Sequence, residues 1–498
     1  MPSRALRIVM VSSEVESLAR TGGLGDAVEG LSRSLDAQGA DVVVVTPKYG
    51  VTRVPLGARW WPSPVAAPLG LGHARELGVL EARLAPAAGG PRRGPRACML
   101  ADAHLFDRAG IYGDARGTFD DNAFRFAALS SGALSVAERA WDGRLPDVIH
   151  AHDWHAALAL LYARHTRASA WSRVPLVFTI HNLAFQGVLN ERELDYLGVP
   201  RDAWEHGWLR HEGNVNLMKG AIDVADRVTT VSETYAREIL SPEHGYGLDA
   251  HLRHYRSKLV GIVNGIDTHS FDPATDGLIA CRYGAGDAAL GKIANKRALG
   301  AELALDVGDR DPLFAAISRL QWLKGTDLLL SVVPALVERG ARIVLVGTGD
   351  PSLESGLTAA AARWPGRVAS RIAFDPLLAR RVFSAADFFV VPSRDEPCGL
   401  TQLYAMRYGA IPVVSPVGGL VDTVQPLDAA HALGTGLVAD GVNASSLLLA
   451  CEEALGVWSD PVGMPSLVAR AMARDSAWTP SASRYLALYE GLAAAAQA

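Results

Sequence analysis

Short, almost uninterrupted apolar runs recur along the chain, each followed by residues whose apolar positions repeat at helical spacing. In the first half they fall at 7–11, 41–45, 148–150, 176–180 and 227–231, and the pattern restarts at 259–263, 313–317, 342–346, 388–391 and 411–414. Runs such as VVVVT (42–46) and IVLVG (343–347) show no polar alternation. Both faces of such strands must be covered, which is the signature of a parallel sheet flanked by helices. The alternation therefore predicts the α/β class, with two doubly wound halves whose ligands collect at the carboxyl ends of the strands. Residues 476–496 carry apolar positions at helical spacing behind Ser481 or Ser483 as a cap, and predict a terminal helix. The expected layout is residues 1–255, residues 256–475, and a closing helix over 476–498. Residues 84–97, rich in Pro, Gly, Ala and Arg, read as an exposed loop without chemistry.

Composition narrows the function classes. At 498 residues, with 49% hydrophobic and 20% charged positions, the chain is globular and too long for one core. A net charge of -5 leaves no general basic field for nucleic acid or an anionic membrane surface. Cys98, Cys281, Cys398 and Cys451 are scattered, with no C-x-x-C pair and no histidine at ligand spacing, so neither a disulfide scaffold nor a zinc site is expected. The apolar run near the start is short, interrupted by Arg7, and lacks a small-residue cleavage site, so it reads as a buried strand. No stretch approaches the roughly 18 apolar residues of a membrane span. The cytoplasm is the expected location, and neither nucleic acid nor membrane is an expected partner.

Four clusters at strand ends carry the candidate chemistry. Arg20-Thr21-Gly22-Gly23-Leu24-Gly25-Asp26 follows the first strand and precedes a helical run. Glycines there let backbone N–H groups approach a pyrophosphate, and Arg20 could neutralise it, although a purely structural turn has the same appearance. His150-Ala151-His152-Asp153-Trp154-His155 puts three imidazoles within six residues. Neighbouring positions point in different directions, which argues against a metal and for groups that bind sugar hydroxyls. His181-Asn182 closes the next strand and converges on the same edge. In Ser318-Arg319-Leu320-Gln321-Trp322-Leu323-Lys324-Gly325, an Arg and a Lys on one turning loop can meet on a diphosphate, the Arg through its fork and the Lys as a point charge. In Pro392-Ser393-Arg394-Asp395-Glu396-Pro397-Cys398-Gly399-Leu400-Thr401-Gln402, Glu396 could accept from sugar hydroxyls, or could be only a charge at a helix end. Gly418-Gly419 supplies a further strand-to-helix turn.

Taken together, RTGGLGD (20–26), HAHDWHA (150–156), FTIHNLAFQG (178–187), VNGID (263–267), ANKRALG (294–300), SRLQWLKG (318–325), VGTGD (346–350), PSRDEPCGLTQLYAMRYG (392–409) and VGGLVDTV (417–424) resemble glycosyltransferase family 5, the bacterial glycogen synthases and plant starch synthases. The resemblance covers nearly the whole chain. It implies a GT-B fold of two Rossmann-like domains with an active-site cleft between them, and a terminal helix crossing back to the first. It implies retaining transfer of glucose from ADP-glucose to the 4-hydroxyl end of an α-1,4-glucan such as glycogen, without metal or other cofactor. Carried over by position, it implies that Arg319 and Lys324 hold the donor diphosphate. Glu396 then stands near the donor glucose and His152 near the reacting sugar. It further implies donor contacts at Arg20, Gly22, Gly23, Asp26, Asn264, Phe374, Cys398, Gly399, Leu400 and Thr401, with Phe374 against adenine and backbone donors of Leu400 and Thr401 on the distal phosphate. Asp153, His181, Asn182 and Gln186 fall on the sugar or acceptor side.

One departure bears on the donor. The family's glycine loop usually begins with Lys, where this chain has Arg20. A planar fork and a flexible ammonium are not interchangeable at a shaped site, so UDP-glucose stays open as an alternative donor. A related transferase with another acceptor, a phosphorylase-like enzyme and a non-catalytic glucan-binding protein are the competing readings. The first conflicts with the long 392–409 match, the second lacks a recognisable pyridoxal-phosphate lysine motif, and the third would not need Arg319, Lys324 and Glu396 together.

Overall fold

The computed structural model describes residues 4–87, 90, 93–428 and 430–497. It divides into two compact units, the first formed by Met1–Val231, Ala236–Gly265 and Trp478–Ala498, the second by Ser232–Tyr235 and Ile266–Ala477.

The first unit is built on a ten-stranded sheet. From one edge inward its order is Leu259–Gly261, Arg227–Thr230, Leu176–Ile180, Val148–His152, Arg7–Val11, Asp41–Pro47 and Arg96–Ala101, all parallel. Val42, Val43, Val44 and Val45 are at most 1% exposed, as strands covered on both faces require. Beyond Arg96–Ala101 the sheet turns antiparallel through Ala74–Arg83, which pairs with Arg59–Trp60 and Val65–Pro68. Leu259–Gly261, read from the sequence as the opening of the second half, instead pairs with Arg227–Thr230 and closes the edge of this sheet, so the long segment of the second unit begins later, at Ile266. Of the loop expected over 84–97, residues 88, 89, 91 and 92 lie outside the described residues, and its last two positions belong to the strand Arg96–Ala101.

The closing helix Trp478–Gln497 buries Trp478, Ala482, Tyr485, Tyr489 and Ala493. That spacing forms one stripe of a 3.6-residue repeat, and the stripe enters the first unit's core beside Val28, Leu31, Met10 and Val44.

The second unit has a six-stranded parallel sheet ordered Val368–Ile372, Arg342–Gly349, Leu313–Leu320, Phe388–Val391, Ile411–Val414, Leu437–Val438. Its core is the aliphatic and aromatic face of these strands, including Phe314, Val344, Phe389 and Val413, with Val333 and Leu336 of the helix Thr326–Glu338 packed on them. Two glycines bring the strand-end loops of this unit together. At Gly325, φ is 65° and an added Cβ would stand 1.9 Å from the Pro392 carbonyl oxygen. At Gly419 a Cβ would stand 2.3 Å from Cys398 Cα. No other residue fits either contact without moving backbone. No helix among the described residues is long and apolar enough to cross a membrane.

Candidate active site

In the second unit the strand Leu313–Leu320 delivers Arg319 near its carboxyl end, and the short turn Trp322–Lys324 delivers Lys324. Lys324 Nζ donates to Glu396 Oε2 at 2.8 Å, and Ser393 Oγ donates to the same oxygen at 2.9 Å. Both charged side chains are mostly buried, at 16% and 12% exposure. A pair so placed holds its geometry better than a surface ion pair, because little water competes for either partner. The Gly419 N–H donates to the Glu396 carbonyl at 2.9 Å, so the close approach at Gly419 also pins the backbone under the carboxylate. Arg319 is exposed and, among the described residues, has no carboxylate within ion-pair distance. Arg394 stacks over the Trp322 ring at 4.3 Å and forms a two-pronged pair with Asp327, at 2.7 Å for each prong. The loop that carries Lys324 is thereby braced from outside.

Gln402, fully buried, donates to the carbonyls of Cys398 and Gly399 at 3.1 and 2.8 Å and to Thr423 Oγ1 at 3.0 Å. Its amide ties the turn 398–400 to the neighbouring helix. Cys398 is 5% exposed and is a packed side chain of that turn. Leu400 precedes the helix Thr401–Arg407, whose first turn has no side-chain cap. Phe374 stands 70% exposed, its ring uncovered.

In the first unit the groups around His152 are neutral imidazoles. His150 and His152 lie two apart on the strand Val148–His152 and so share a face of the sheet. Their ring centroids are 4.0 Å apart, and His152 Nδ1 lies 3.0 Å from Nε2 of His181. His152 is 1% exposed, whereas His181 is partly open. The structure thus places His181 at the surface of the site and His152 behind it. Burial depresses all three imidazoles, His181 to about 3, and keeps them uncharged. His155 faces elsewhere, stacked on Tyr112 at 4.7 Å, so the three imidazoles of the motif do not converge. Among the described residues no group of three or more His, Cys, Asp or Glu could hold a metal ion.

Asp153 has φ 57°, a strained value for a non-glycine residue, and its Oδ1 accepts the His181 N–H at 2.8 Å. Burial pushes its carboxyl up to about 7, against the backbone N–H groups of His181 and Asn182, which favour the charged form. Asn182 Oδ1 accepts from the Ala184 N–H within its own turn. Gln186 donates to the Tyr246 carbonyl at 3.0 Å and accepts from Asn216 at 2.6 Å. Both ends of that amide are thus engaged with the scaffold, which holds the side chain in one orientation.

The glycine loop also differs from its simplest reading. Buried Glu14 accepts from the N–H groups of Thr21 (2.6 Å) and Gly22 (3.1 Å), from the Thr21 hydroxyl (3.0 Å) and from Tyr112 (2.6 Å). Two of the loop's amides are therefore engaged, and what remains open lies at the uncapped start of the helix Gly23–Ala37. Arg20 pairs with Asp26 at 2.5 Å and Glu16 at 3.3 Å, so its charge is locally balanced. Asn264 is 7% exposed, in the segment just before the chain enters the second unit.

Residues 7–254 match the family described as the starch synthase catalytic domain, and residues 311–455 match glycosyl transferases group 1. The chain is 43% identical over 492 residues to a glycogen synthase of Anaeromyxobacter dehalogenans, covering 98% of this chain and 100% of that one. It is 41% identical over 495 residues to a glycogen synthase of Myxococcus xanthus, covering 98% and 100%. Against the solved catalytic domain of starch synthase IV from Arabidopsis thaliana, bound to ADP and acarbose, the TM-score is 0.89 at 30% identity, covering 98% of this chain and 100% of that one.

The chain belongs to the glycogen and starch synthase family. It is a glycosyltransferase of GT-B fold. A sucrose-phosphate synthase from Thermosynechococcus elongatus shares the fold at a TM-score of 0.59 and 20% identity. Within this starch synthase framework three residues escaped the sequence reading. Glu14 stands three residues past an apolar strand, and a carboxylate in such a position signals loop amides that need an acceptor. Ser393, three residues before Glu396, had a visible spacing signal. Asp422, in the VGGLVDTV run, accepts from Ser232 Oγ at 2.7 Å and Thr234 N at 2.9 Å, and nothing local in the sequence announces that pairing.

Proposed function

We propose that this starch synthase family member transfers glucose from ADP-glucose to the 4-hydroxyl at the non-reducing end of an α-1,4-glucan, with retention at the anomeric carbon and release of ADP. The observation that carries the reading is the Lys324–Glu396 pair at 2.8 Å, with Ser393 on the same carboxylate oxygen, in the loop system that also presents Arg319. Without donor, Lys324 and Glu396 neutralise each other. With donor, the diphosphate draws the ammonium, and the freed carboxylate accepts from the glucose hydroxyls. Arg319 adds a second cation, with no competing acid at ion-pair distance among the described residues. As the anomeric C–O bond to the diphosphate breaks, the new bond forms from the acceptor oxygen on the same face, and the hydroxyl proton passes to the leaving diphosphate. Charge accumulates on that leaving group, so fixed cations act where the transition state needs them most. In the first unit His181, rather than the more deeply buried His152, offers the imidazole edge to the sugar.

The Arabidopsis neighbour's ADP supports adenine as the donor base, as does the open Phe374 ring, which suits stacking. The reading is tested by ADP release from ADP-glucose with and without glycogen, beside UDP-glucose. Glycogen-dependent ADP release supports it. Preference for UDP-glucose moves the donor assignment to the consequence of Arg20, and turnover of neither donor sinks it.

A further inference from the structure

At the antiparallel edge of the first unit's sheet, two adjacent tryptophans open onto solvent. The strand Arg59–Trp60 pairs with Ala74–Arg83, and the Trp61 N–H extends the pairing to the Val79 carbonyl at 2.9 Å. Side chains alternate across a strand, so Trp60 shares a face with Leu80 and Gly78, and Trp61 shares the other with Arg59 and Glu81. The six-membered ring of Trp60 lies over Gly78, where an added Cβ would stand 3.1 Å from Cζ3, and the residue is still 56% exposed. The Trp61 indole N–H donates to Glu81 Oε2 at 2.8 Å, which holds that ring in one orientation. Two open hollows meet here: one runs past Arg139, the other past Trp60 and Arg59, and Trp61, Pro62 and Glu81 line both.

The chemistry of these hollows selects a neutral, polyhydroxylated ligand. An indole offers a flat apolar face to the C–H face of a sugar ring, whose hydroxyls then point to the polar rim. Vicinal hydroxyls need an acceptor and a donor together. Glu81 Oε1 has no hydrogen-bond partner among the described residues, and Arg59, on the same face of the strands, is exposed with no ion-pair partner among them. An anion fits less well, because Arg83, Arg96 and Arg139 donate to the main-chain carbonyls of Gly94, Ala140 and Pro64. Strand addition by a second copy is also disfavoured: the edge strand is two residues long, and Pro62 and Pro64 remove N–H donors just beyond it. Five strand steps of about 4.8 Å separate Arg59–Trp60 from Val148–His152, roughly 24 Å across the sheet, so this is not part of the site around His152.

We propose that Trp60, Trp61, Glu81 and Arg59 form a second carbohydrate site, which holds an inner segment of an α-1,4-glucan while an end of the same polymer is extended at the active site. The choice of glucan rests on the acceptor proposed above. A polymer held at a second point returns to the active site at a raised effective concentration, an advantage that an acceptor too short to span both sites does not receive.

The test compares Trp60→Ala and Trp61→Ala with the parent chain by retardation in native gels containing glycogen, and by glucosyl transfer to glycogen and to maltotetraose. Both variants are expected to bind glycogen about tenfold more weakly and to show a similar rise in KM for glycogen, with kcat and the KM values for ADP-glucose and maltotetraose within about twofold of the parent. Trp60→Phe, which keeps an aromatic face, is expected to retain parent-like retardation. Parent-like glycogen binding in both alanine variants overturns the proposal, as does an equal rise in KM for maltotetraose. A parent dimer that W60A dissociates, seen by sedimentation, would make this face a self-contact and overturn it too. Gel retardation needs no donor, so a parent chain that turns over neither ADP-glucose nor UDP-glucose refutes the reaction proposed above and is distinguishable from failure of this site.

Discussion

The two units solve opposite electrostatic problems. In the second, charges gather at strand ends: Lys324 on Glu396, Arg394 on Asp327, and Arg319 exposed with no acid at ion-pair distance among the described residues. In the first, the polar groups around His152 are imidazoles, hydroxyls and the Asp153 carboxyl pushed up to about 7, while the charges of the glycine loop, Arg20 with Asp26 and Glu16, balance one another. Leaving-group charge calls for mobile pairs that a ligand can split. Orientation of neutral hydroxyls calls for fixed donors in a dry setting. On the proposed reading, charge in the second unit serves the diphosphate and hydrogen-bond direction in the first serves the sugar.

Three substitutions break or sharpen this contrast. The largest effect is expected for Lys324→Ala, which removes a cation from the leaving group and strands Glu396 in a mostly buried place. Glucosyl transfer should fall about 10²- to 10³-fold in kcat, measured by ADP release. Phe374→Ala should raise KM for ADP-glucose about tenfold while leaving kcat nearly unchanged, because a stacked base contributes alike to ground and transition state. The smallest effect concerns Asp153→Asn and is read as a stability difference against pH. The folded-state pKa of Asp153 is raised, so its contribution is full below about pH 4 and is lost as pH rises towards 7. The variant, which never charges, should therefore gain on the parent by about 1.4 kcal/mol between pH 6 and pH 8 in urea unfolding.

Much of the second unit was legible because its chemistry sits in short loops where sequence neighbours are spatial neighbours. Arg319, Lys324 and Glu396 stand out as charges at the ends of apolar strands, and apolar runs such as 343–346 could be nothing but covered strands. The first unit yields less to such reading. That His152 lies behind His181 depends on parallel register, with His152 beside Thr179, which no local pattern encodes. The hydrogen bond of Tyr489 with His150 spans 339 residues of sequence. Nor does the motif around Gln186 show that Asn216 and Tyr246 hold its amide. The strand Leu259–Gly261 was placed in the wrong half because a three-residue parallel edge has no signal for the sheet it joins. The antiparallel arm around Ala74–Arg83 was missed because its partner strand Val65–Pro68 is short and alternates buried with exposed positions.

The division of labour between the units is tested most directly by titrating ADP into Lys324→Ala and His181→Ala by calorimetry, with glucosyl transfer measured on the same preparations. The account predicts that K324A loses about tenfold or more in ADP affinity, whereas H181A binds ADP as the parent does and yet transfers glucose poorly. Equal weakening of ADP binding in both variants, or unchanged binding in K324A, would contradict it.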